Sequence, residues 1–381
     1  MIKELLAAMG ATLATASGVA PAATAPATTK TQTVTPKAVS YCAPATLPVA
    51  TTNQTVNNYF ANRLGPGWIA GDATYSAKLP DGRIAWTFSD SMVGTAKTDG
   101  TATFTGMPHN AQLIGTNGNL FDNYGGTYSA PTPLIPNRTS SSWWWVGATF
   151  VENNQQLIFV NDFDARNMFG YFTGNSGIAV MKLTTGGKPT YNKVQALPTD
   201  STTQWGNALA SDSTYNYIYG ISSASSDGTF YGMKVARVAK GSTLTASSWR
   251  YWNGTAWVSG VTNAIPIATT NTLTGVTKQP TWMGSTGYVA VSIPSGVFFD
   301  NVVQLSFACS PQGPWSIPQT VYNIPEISQF HNEVAYIPTF HTELSNSTSG
   351  LNVSYNINTT EGWGTLAQNI HLYQPRFLQL R

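Results

Sequence analysis

Short apolar strands recur along this chain at a nearly regular distance. After residue 65, aromatic and β-branched runs bounded by Gly, Asn, Asp and Pro follow one another, and helical periodicity is almost absent. With one marker residue per run, five runs lie 60 to 73 residues apart: Trp86, Phe159, Tyr219, Val291 and Tyr355. Five units of that size predict an all-β, five-bladed β-propeller, with a pair of large β-sandwiches as the alternative.

Several of these units share an internal plan, in which an apolar strand precedes a turn and a second, more aromatic strand. The plan predicts opening strands at Val146–Phe150, Gly206–Leu209, Thr281–Met283 and Val334–Tyr336. Opening strands of propeller blades line the central channel. Residues at the starts of these strands are therefore candidates for a binding site.

The composition favours a large extracellular β-protein. The chain has 381 residues, of which 42% are hydrophobic, so it is long enough to bury a substantial core. Only 9% of the residues are charged, against about 25% in typical soluble domains. A net charge of +2 without a basic stripe gives little support to nucleic-acid binding.

The N-terminal region has the features of an exported protein. Residues 1–25 resemble a secretory signal peptide, and an alanine-rich disordered or helical tail is the alternative. Residues 26–41 form an Ala/Thr/Pro-rich linker, which leaves 42–381 for the propeller. No later stretch has the roughly 20 apolar residues that a membrane-spanning helix needs. We therefore expect a secreted or cell-surface protein.

The chain has two cysteines, Cys42 just after the linker and Cys309 far downstream. In an exported protein, a disulfide between them would attach the N-terminal segment to a late part of the fold. Two free thiols are the alternative.

One hairpin is strongly indicated, between Gly71 and Gly94. Its turn is Pro80-Asp81-Gly82, and an Asp-Gly pair between alternating apolar runs is a strong hairpin signal. A two-residue loop at Asp81 and Gly82 predicts three apolar cross-strand pairs: Leu79 with Ile84, Ala77 with Trp86, and Tyr75 with Phe88.

The open end of this hairpin carries two carboxylates, Asp72 and Asp90. The predicted register brings them near each other, although pleating points them to opposite faces unless Gly71 bends the chain or a bulge intervenes. Two carboxylates that flank a scissile bond are the usual equipment of glycoside hydrolases, with one as acid and the other as base or nucleophile. We therefore predict Asp72 and Asp90 as the catalytic pair. For any single Asp, a role as a cap or turn residue is the alternative.

Other polar and aromatic residues could bind a sugar. His109 could hydrogen-bond to substrate or orient an acid, and exposed Trp residues could stack on sugar rings. The alternative for each is a role in blade packing, which we assign to Trp86, Trp249, Trp252, Trp257 and Trp315. The remaining candidates for substrate binding are His109, Trp143, Trp144, Asp162, Trp205, Trp282 and Glu333.

Motifs of several enzyme classes are missing. The chain has no phosphate-binding glycine loop, no Gly-X-Ser-X-Gly elbow, no His-Glu-X-X-His and no paired-cysteine metal motif. We therefore predict no cofactor and no metal ligands, and leave open a calcium ion in the channel. The expected partner is a polysaccharide substrate, and the expected state is a monomer.

An ordered set of motifs between about residues 65 and 380 resembles a family of bacterial five-bladed propellers. Members of that family, formerly a domain of unknown function, act as endo-D-arabinanases. The motifs are Gly71-Asp72, Tyr75-Ser76, Leu79 to Arg83, Trp86 to Asp90, His109-Asn110, Trp205 to Ala208, Tyr217 to Gly220, Ala236 to Val238, Ser354 to Asn358 and Tyr373 to Phe377.

The resemblance implies a secreted glycosidase that cleaves a furanoside-containing cell-wall polysaccharide with Asp72 and Asp90. It also adds Asn110 to the substrate-binding candidates. Two departures leave the glycan open: Ser91-Met92 follows Asp90, and Ala111 follows His109-Asn110. A non-catalytic carbohydrate-binding propeller at the cell surface is the main alternative function, and an adhesion or scaffolding module is the weaker one.

Overall fold

Antiparallel β-strands build most of the structure. The computed structural model describes residues 40–166, 170–223, 231–270, 275–284, 286–294, 301–329 and 332–381. The predicted signal peptide and nearly all of the predicted linker lie outside the described residues. No helix in the described ranges is long and apolar enough to span a membrane.

The strands are β1 Ala50–Thr52, β2 Gly67–Gly71, β3 Tyr75–Lys78, β4 Ile84–Phe88, β5 Ser91–Ala96, β6 Ala102–Gly106, β7 Ala111–Thr116, β8 Asn119–Asn123, β9 Gly125–Thr127, β10 Ala130–Thr132, β11 Ser142–Glu152, β12 Gln155–Asp164, β13 Tyr171–Lys182, β14 Thr190–Ala196, β15 Thr203–Ser211, β16 Tyr215–Ser223, β17 Tyr231–Ala239, β18 Arg250–Trp252, β19 Trp257–Val258, β20 Ala268–Thr270, β21 Gly275–Lys278, β22 Tyr288–Ser292, β23 Val302–Ala308, β24 Gln319–Asn323, β25 Glu333–Phe340, β26 Leu351–Thr359 and β27 Arg376–Leu380. The α-helices are α1 Gln54–Ala61, α2 Pro325–Gln329 and α3 Trp363–Gln368, and 3₁₀ turns cover Ala246–Ser248, Val261–Asn263, Thr281–Met283, Thr342–Leu344 and Ile370–Tyr373.

Five sheets of four or more strands follow one another along the described chain. Sheet 1 has the order β3-β4-β7-β8, sheet 2 β11-β12-β13-β14, sheet 3 β15-β16-β17-β18-β19 with β20 also on β17, sheet 4 β21-β22-β23-β24, and sheet 5 β25-β26-β27-β1. The first strands of successive sheets contact each other, from β3 to β11, β15, β21 and β25. This arrangement makes the fold β-propeller-like.

The ends of the described chain meet in sheet 5. The early strand β1 pairs with β27 at the outer edge of that sheet. Thr74, which precedes sheet 1, donates a 2.8 Å hydrogen bond to Asn356 of β26. A disulfide joins Cys42 to Cys309, so the predicted pairing of the two cysteines is present.

The repeat found in the sequence corresponds to a position in the sheets. Its five markers, Trp86, Phe159, Tyr219, Val291 and Tyr355, all lie on the second strand of a sheet. The side chains of all five are buried, because the second strand is covered on both faces. The predicted opening strands at Val146–Phe150, Gly206–Leu209 and Val334–Tyr336 lie within β11, β15 and β25.

The opening strand of the fourth unit was placed incorrectly by the sequence pattern. Thr281–Met283 is a 3₁₀ turn, and the first strand of sheet 4 is β21, which precedes it. Pro280 caps the turn, and Gly284 ends it in the left-handed region, at φ 74°. A proline before the segment and a left-handed glycine after it favour a turn over a strand.

The predicted hairpin forms, but its register differs by one residue from the prediction. The N–H of Leu79 donates to the carbonyl of Arg83, so the loop has three residues, and Gly82 takes φ 89° within it. The predicted apolar pairs are wrong, because they require a two-residue loop. The observed pairs are Tyr75 with Thr87, Ser76 with Trp86, Ala77 with Ala85 and Lys78 with Ile84.

A three-stranded side sheet lies beside the five sheets. The side sheet has the order β2-β5-β6. Against it pack α3 and the 3₁₀ turn Ile370–Tyr373, both of which belong to the connection between β26 and β27. The shared core contains Ile69, Ala70, Met92, Leu366, Ile370, Leu372 and Tyr373. This packing positions Tyr373 next to the candidate site.

Candidate functional site

Asp72 and Asp90 lie at the joint of one long hairpin, where its two strands pass from sheet 1 into the side sheet. The strands β3 and β4 belong to sheet 1, whereas β2 and β5, which continue them, belong to the side sheet. At the joint, the N–H of Asp72 donates to the carbonyl of Asp90 over 3.1 Å. Ala73 adopts φ 53°, in the left-handed region that non-glycine residues rarely occupy.

The observed register explains why the two acids meet. A three-residue loop places Asp72 opposite Asp90, and beyond them Gly71 pairs with Ser91 in the side sheet. The predicted bend at Gly71 is therefore not needed. The one-residue difference in register decides whether the two acids share a face.

Asp90 is held by two N–H groups. Its Oδ1 accepts a 2.7 Å hydrogen bond from His109 Nδ1 and a 2.8 Å hydrogen bond from Trp145 Nε1. The His109 ring stacks on Trp143, with the ring centroids 4.5 Å apart and the planes at 16°. Trp145 packs against Phe163, with the ring centroids 4.5 Å apart. These contacts fix the orientation of the Asp90 carboxylate.

Asp72 has a different environment. Its Oδ2 accepts a 2.8 Å hydrogen bond from the hydroxyl of Tyr336, while its Oδ1 is shielded from solvent and has no hydrogen-bond partner among the described residues. Burial of the carboxylate, followed by the negative charge of Asp90, raises the pKa of Asp72 to about 7, against the lowering effect of the Tyr336 and Tyr373 hydroxyls. Asp72 is therefore suited to carry a proton near neutral pH.

Five of the predicted substrate-binding residues are buried, and three of these are Asn110, Trp144 and Trp205. Asn110 is fully buried, accepts from the N–H of Ile135 and donates to the carbonyls of Ile135 and Trp144. Trp144 and Trp205 belong to the core shared by sheets 2 and 3. The contacts that the structure gives these three residues are with the core and the backbone.

The other three are Asp162, Glu333 and Trp282. Asp162 is fully buried and accepts hydrogen bonds from Arg138 at 2.7 Å and Thr173 at 2.6 Å. Glu333 is buried at the start of β25, and Trp282 packs on the core of sheets 4 and 5. Among the predicted substrate-binding residues, His109 bonds to Asp90 and Trp143 stacks on His109.

Three residues of the site escaped the sequence analysis. They are Trp145, Tyr336 and Tyr373. Strand alternation could have identified Trp145, because residues two apart share a face and Trp143 was already a candidate. Tyr336 could have been found as a residue of a predicted opening strand, whereas Tyr373 reaches Asp72 through the packing of an irregular connection.

In the ranges that the structure describes, no group of three or more His, Cys, Asp and Glu side chains is placed to hold a metal ion. Two of the surface clefts are lined by neither acid. The larger of these two, of about 630 Å³, is lined by residues of α1, of the segment that follows it and of the turn at Asn117. The smaller, of about 260 Å³, lies beside the side sheet.

The chain matches a known protein family. Residues 53–381 match the family described as "Domain of unknown function (DUF5005)". The chain belongs to this family. The family description names no activity, and the match does not identify the endo-D-arabinanases that the motifs resemble. No curated protein matches the chain.

Solved structures resemble this DUF5005 chain in fold. A candidate hydrolase from Bacteroides ovatus aligns with a TM-score of 0.69 at 20% sequence identity, over 87% of this chain and 90% of that chain. An exo-β-1,3-galactanase from Phanerochaete chrysosporium gives a TM-score of 0.46 at 12% identity, over 82% and 62% of the two chains. A GH43_1 enzyme from Xanthomonas citri complexed with xylotriose gives 0.45 at 12% identity, over 84% and 92%.

Proposed function

We propose that this protein is a glycoside hydrolase that uses Asp72 and Asp90 as its acid/base pair. The observation that carries the proposal is the contrast between two carboxylates on paired backbone segments. Burial and the charge of Asp90 raise the pKa of Asp72 to about 7, while Asp90 accepts hydrogen bonds from His109 and Trp145. Two carboxyl groups with different environments are the arrangement that separates an acid from a base.

In this proposal, Asp72 donates its proton to the glycosidic oxygen as the bond to the anomeric carbon breaks. Asp90 either removes a proton from the attacking water or attacks the anomeric carbon itself. The hydrogen bonds of Asp90 both end on Oδ1, so Oδ2 is the oxygen assigned to water or substrate. Activity should fall as the pH rises through about 7, because Asp72 then loses its proton.

We further propose a five-bladed propeller that is secreted and acts on a furanoside-containing cell-wall polysaccharide, as an endo-D-arabinanase. The five sheets and the contacts between their first strands support the blade number. The disulfide between Cys42 and Cys309 suits an oxidising compartment. The choice of D-arabinan rests on the motif resemblance, including Gly71-Asp72 and Trp86 to Asp90.

A non-catalytic carbohydrate-binding protein is the second candidate. The shielding of Asp72 Oδ1 from solvent favours it, because a general acid must reach the oxygen that it protonates. In that case the stacked His109 and Trp143 rings would supply affinity, and the acids would accept hydrogen bonds from sugar hydroxyls.

The deciding experiment is a digest of D-arabinan, arabinogalactan and other cell-wall polysaccharides, with products separated by oligosaccharide chromatography. Asp72→Asn and Asp90→Asn should each stop release of oligosaccharides without unfolding the protein. Asp99→Asn is the matched control, because Asp99 is an exposed turn residue that bonds to Thr101. Full activity in both site variants would rule out the catalytic assignment, and retention on a polysaccharide without products would favour the binding protein.

A further inference from the structure

The smaller cleft lies between the side sheet and α3. It is lined by Met92, Phe104, Thr105, Gly106, Met107 and Trp363 and has a volume of about 260 Å³. This volume is slightly below the range of about 300–1,000 Å³ that is typical of small-molecule pockets. None of the lining side chains is charged. A cleft of this size and chemistry suits a short stretch of a neutral, partly apolar ligand.

Trp363 gives this cleft an aromatic face. It is the exposed residue among the tryptophans of the chain, with 47% of its surface accessible. The residues beneath it are buried, since Leu366 and Tyr373 are at most 1% exposed. Tryptophan is enriched at contact surfaces, where its amphipathic ring contributes a large contact area.

The packing around Trp363 holds it in place. Its ring meets the ring of Tyr373 edge-on, with centroids 6.1 Å apart and planes at 90°. Leu366, one turn further along α3, belongs to the core shared with the side sheet. The N–H of Ile370 donates a 2.9 Å hydrogen bond to the carbonyl of Gly100. The aromatic face is therefore preorganised, which lowers the entropy lost on binding.

The residues of the cleft are neighbours of the candidate site in contact and in sequence. Tyr373, which contacts Trp363, lies close enough to Asp72 for its hydroxyl to lower the pKa of that acid. Met92 follows Asp90 by two residues, and Met107 precedes His109 by two. A polymer bound at the two acids would therefore pass near this cleft.

We propose that this cleft is a further sugar subsite, in which Trp363 stacks on a ring of the polysaccharide bound at Asp72 and Asp90. The proposal rests on the proposed carbohydrate function of the site. The apolar face of a sugar ring fits an exposed indole above methionine and phenylalanine side chains. The absence of charge in the lining selects a neutral sugar over an anionic one.

The test measures binding separately from hydrolysis. Affinity electrophoresis in gels that contain D-arabinan compares Asp72→Asn with the double variant Asp72→Asn/Trp363→Ala. We expect the dissociation constant to rise about 5- to 10-fold in the double variant, as for the loss of one aromatic stack. Trp363→Phe should restore most of the affinity, because it keeps an aromatic face.

Phe121→Ala in the Asp72→Asn background is the matched control. Phe121 is also an exposed aromatic residue, at 53%, but lies on β8 at the outer edge of sheet 1. It should leave the retardation unchanged. In the otherwise native protein, Trp363→Ala should raise KM for the polymer 5- to 10-fold and leave kcat unchanged.

The outcomes separate the subsite from the proposed catalysis. Equal retardation with and without Trp363 overturns the subsite, even if the native protein hydrolyses D-arabinan. Retardation that depends on Trp363, with no product from the native protein, supports the subsite and overturns the catalytic assignment. If D-arabinan gives no retardation, gels with arabinogalactan and β-1,3-galactan follow, and retardation in none of the three overturns the subsite.

Discussion

Two histidine–carboxylate clusters in this molecule have opposite surroundings. At the candidate site, His109 bonds to Asp90, and the His109 side chain keeps 26% of its surface exposed. In the second cluster, His341 is fully buried, with Nδ1 at 3.6 Å from Glu343 Oε1 and also beside the hydroxyl of Ser76. Both clusters pair a histidine with a carboxylate, but one pair is partly exposed and the other is buried.

The position of each cluster explains the difference. His341 joins sheet 5 to sheet 1, because its Nε2 bonds to Ser354 of β26 while its Nδ1 contacts Ser76 of β3. Its ring also packs against Trp86 and Phe377. His109 instead stacks on Trp143 beside two acids at a strand joint. Solvent exposure, more than residue type or an aromatic neighbour, therefore distinguishes the candidate site from the structural seam, which is the contact of His341 and Glu343 with Ser76 between sheets 5 and 1.

The largest expected effect is the difference in kcat/KM between substitutions of the two carboxylates, Asp90 and Glu343. Asp90→Asn should lower kcat/KM about 10²- to 10⁴-fold, because it removes the proposed base or nucleophile. Glu343→Gln keeps the shape of the seam and should leave kcat/KM within about 3-fold of native. Initial rates on the polysaccharide that the native protein degrades measure both. A larger loss from Glu343→Gln than from Asp90→Asn would reverse the assignment of the two clusters.

The next expected effect is on stability. Here the substitution in the buried cluster should have the larger effect. His341→Ala should lower the free energy of unfolding by about 2–4 kcal/mol, because it leaves a cavity and unpaired groups at a buried junction. His109→Ala should lower it by less than about 1 kcal/mol, since this side chain is partly exposed. Urea unfolding followed by tryptophan fluorescence measures both values. Equal losses from the two variants would contradict the distinction.

The sequence predicted most of the sheet organisation and part of the site. The five markers lie on the second strands because buried strands need aromatic and β-branched residues, a requirement that the sequence displays directly. The hairpin register was wrong, because an Asp-Gly pair is compatible with both two-residue and three-residue loops. Trp282 was misplaced, because a three-residue segment does not by itself distinguish a strand from a 3₁₀ turn.

The remaining parts of the site depend on long-range packing. Tyr336 and Tyr373 reach Asp72 from sheet 5 and from the connection before β27. Neither contact follows a local period. Tyr336 lies on a predicted opening strand, but nothing in that segment indicates that its hydroxyl bonds to Asp72. Trp144 and Trp205 were attractive by residue type, but the alternation of the strands turns them into the core.

A third expected effect is on the pH dependence of stability, which should differ between the native protein and Asp72→Asn. The folded protein holds a proton on Asp72 up to a pKa of about 7, while the unfolded chain releases it near its ordinary value of 3.8. Between these values the folded state binds more protons, so native stability falls as the pH rises toward 7 and then levels off. Asp72→Asn should remove this loss. It should be about 1–3 kcal/mol more stable than native at pH 8 and nearly equal at pH 4.

Thermal unfolding of both proteins between pH 4 and pH 8 tests this contrast, with Asp99→Asn as the control. Asp99 is fully exposed, and hydrogen bonds from Thr101 lower its pKa, so its replacement should bring no gain in stability as the pH rises. Parallel stability curves for native protein and Asp72→Asn would mean that Asp72 is charged in the folded state at neutral pH. It would then be unsuited to the role of acid.

The smallest expected effect concerns Trp143, the aromatic neighbour of His109 at the candidate site. Trp143 stacks on His109 at 4.5 Å and lies edge-on to Trp145 at 5.8 Å, so it fixes both donors to Asp90. Trp143→Ala should raise KM about 5- to 10-fold, which corresponds to one lost stacking contact, and Trp143→Phe should recover most of that loss. Trp86, which contacts His341 in the seam, gives the converse: Trp86→Phe should lower stability and leave KM unchanged. If Trp143→Ala leaves KM unchanged, the stack on His109 serves only the fold, and the exposed cluster would then differ from the buried one in accessibility alone.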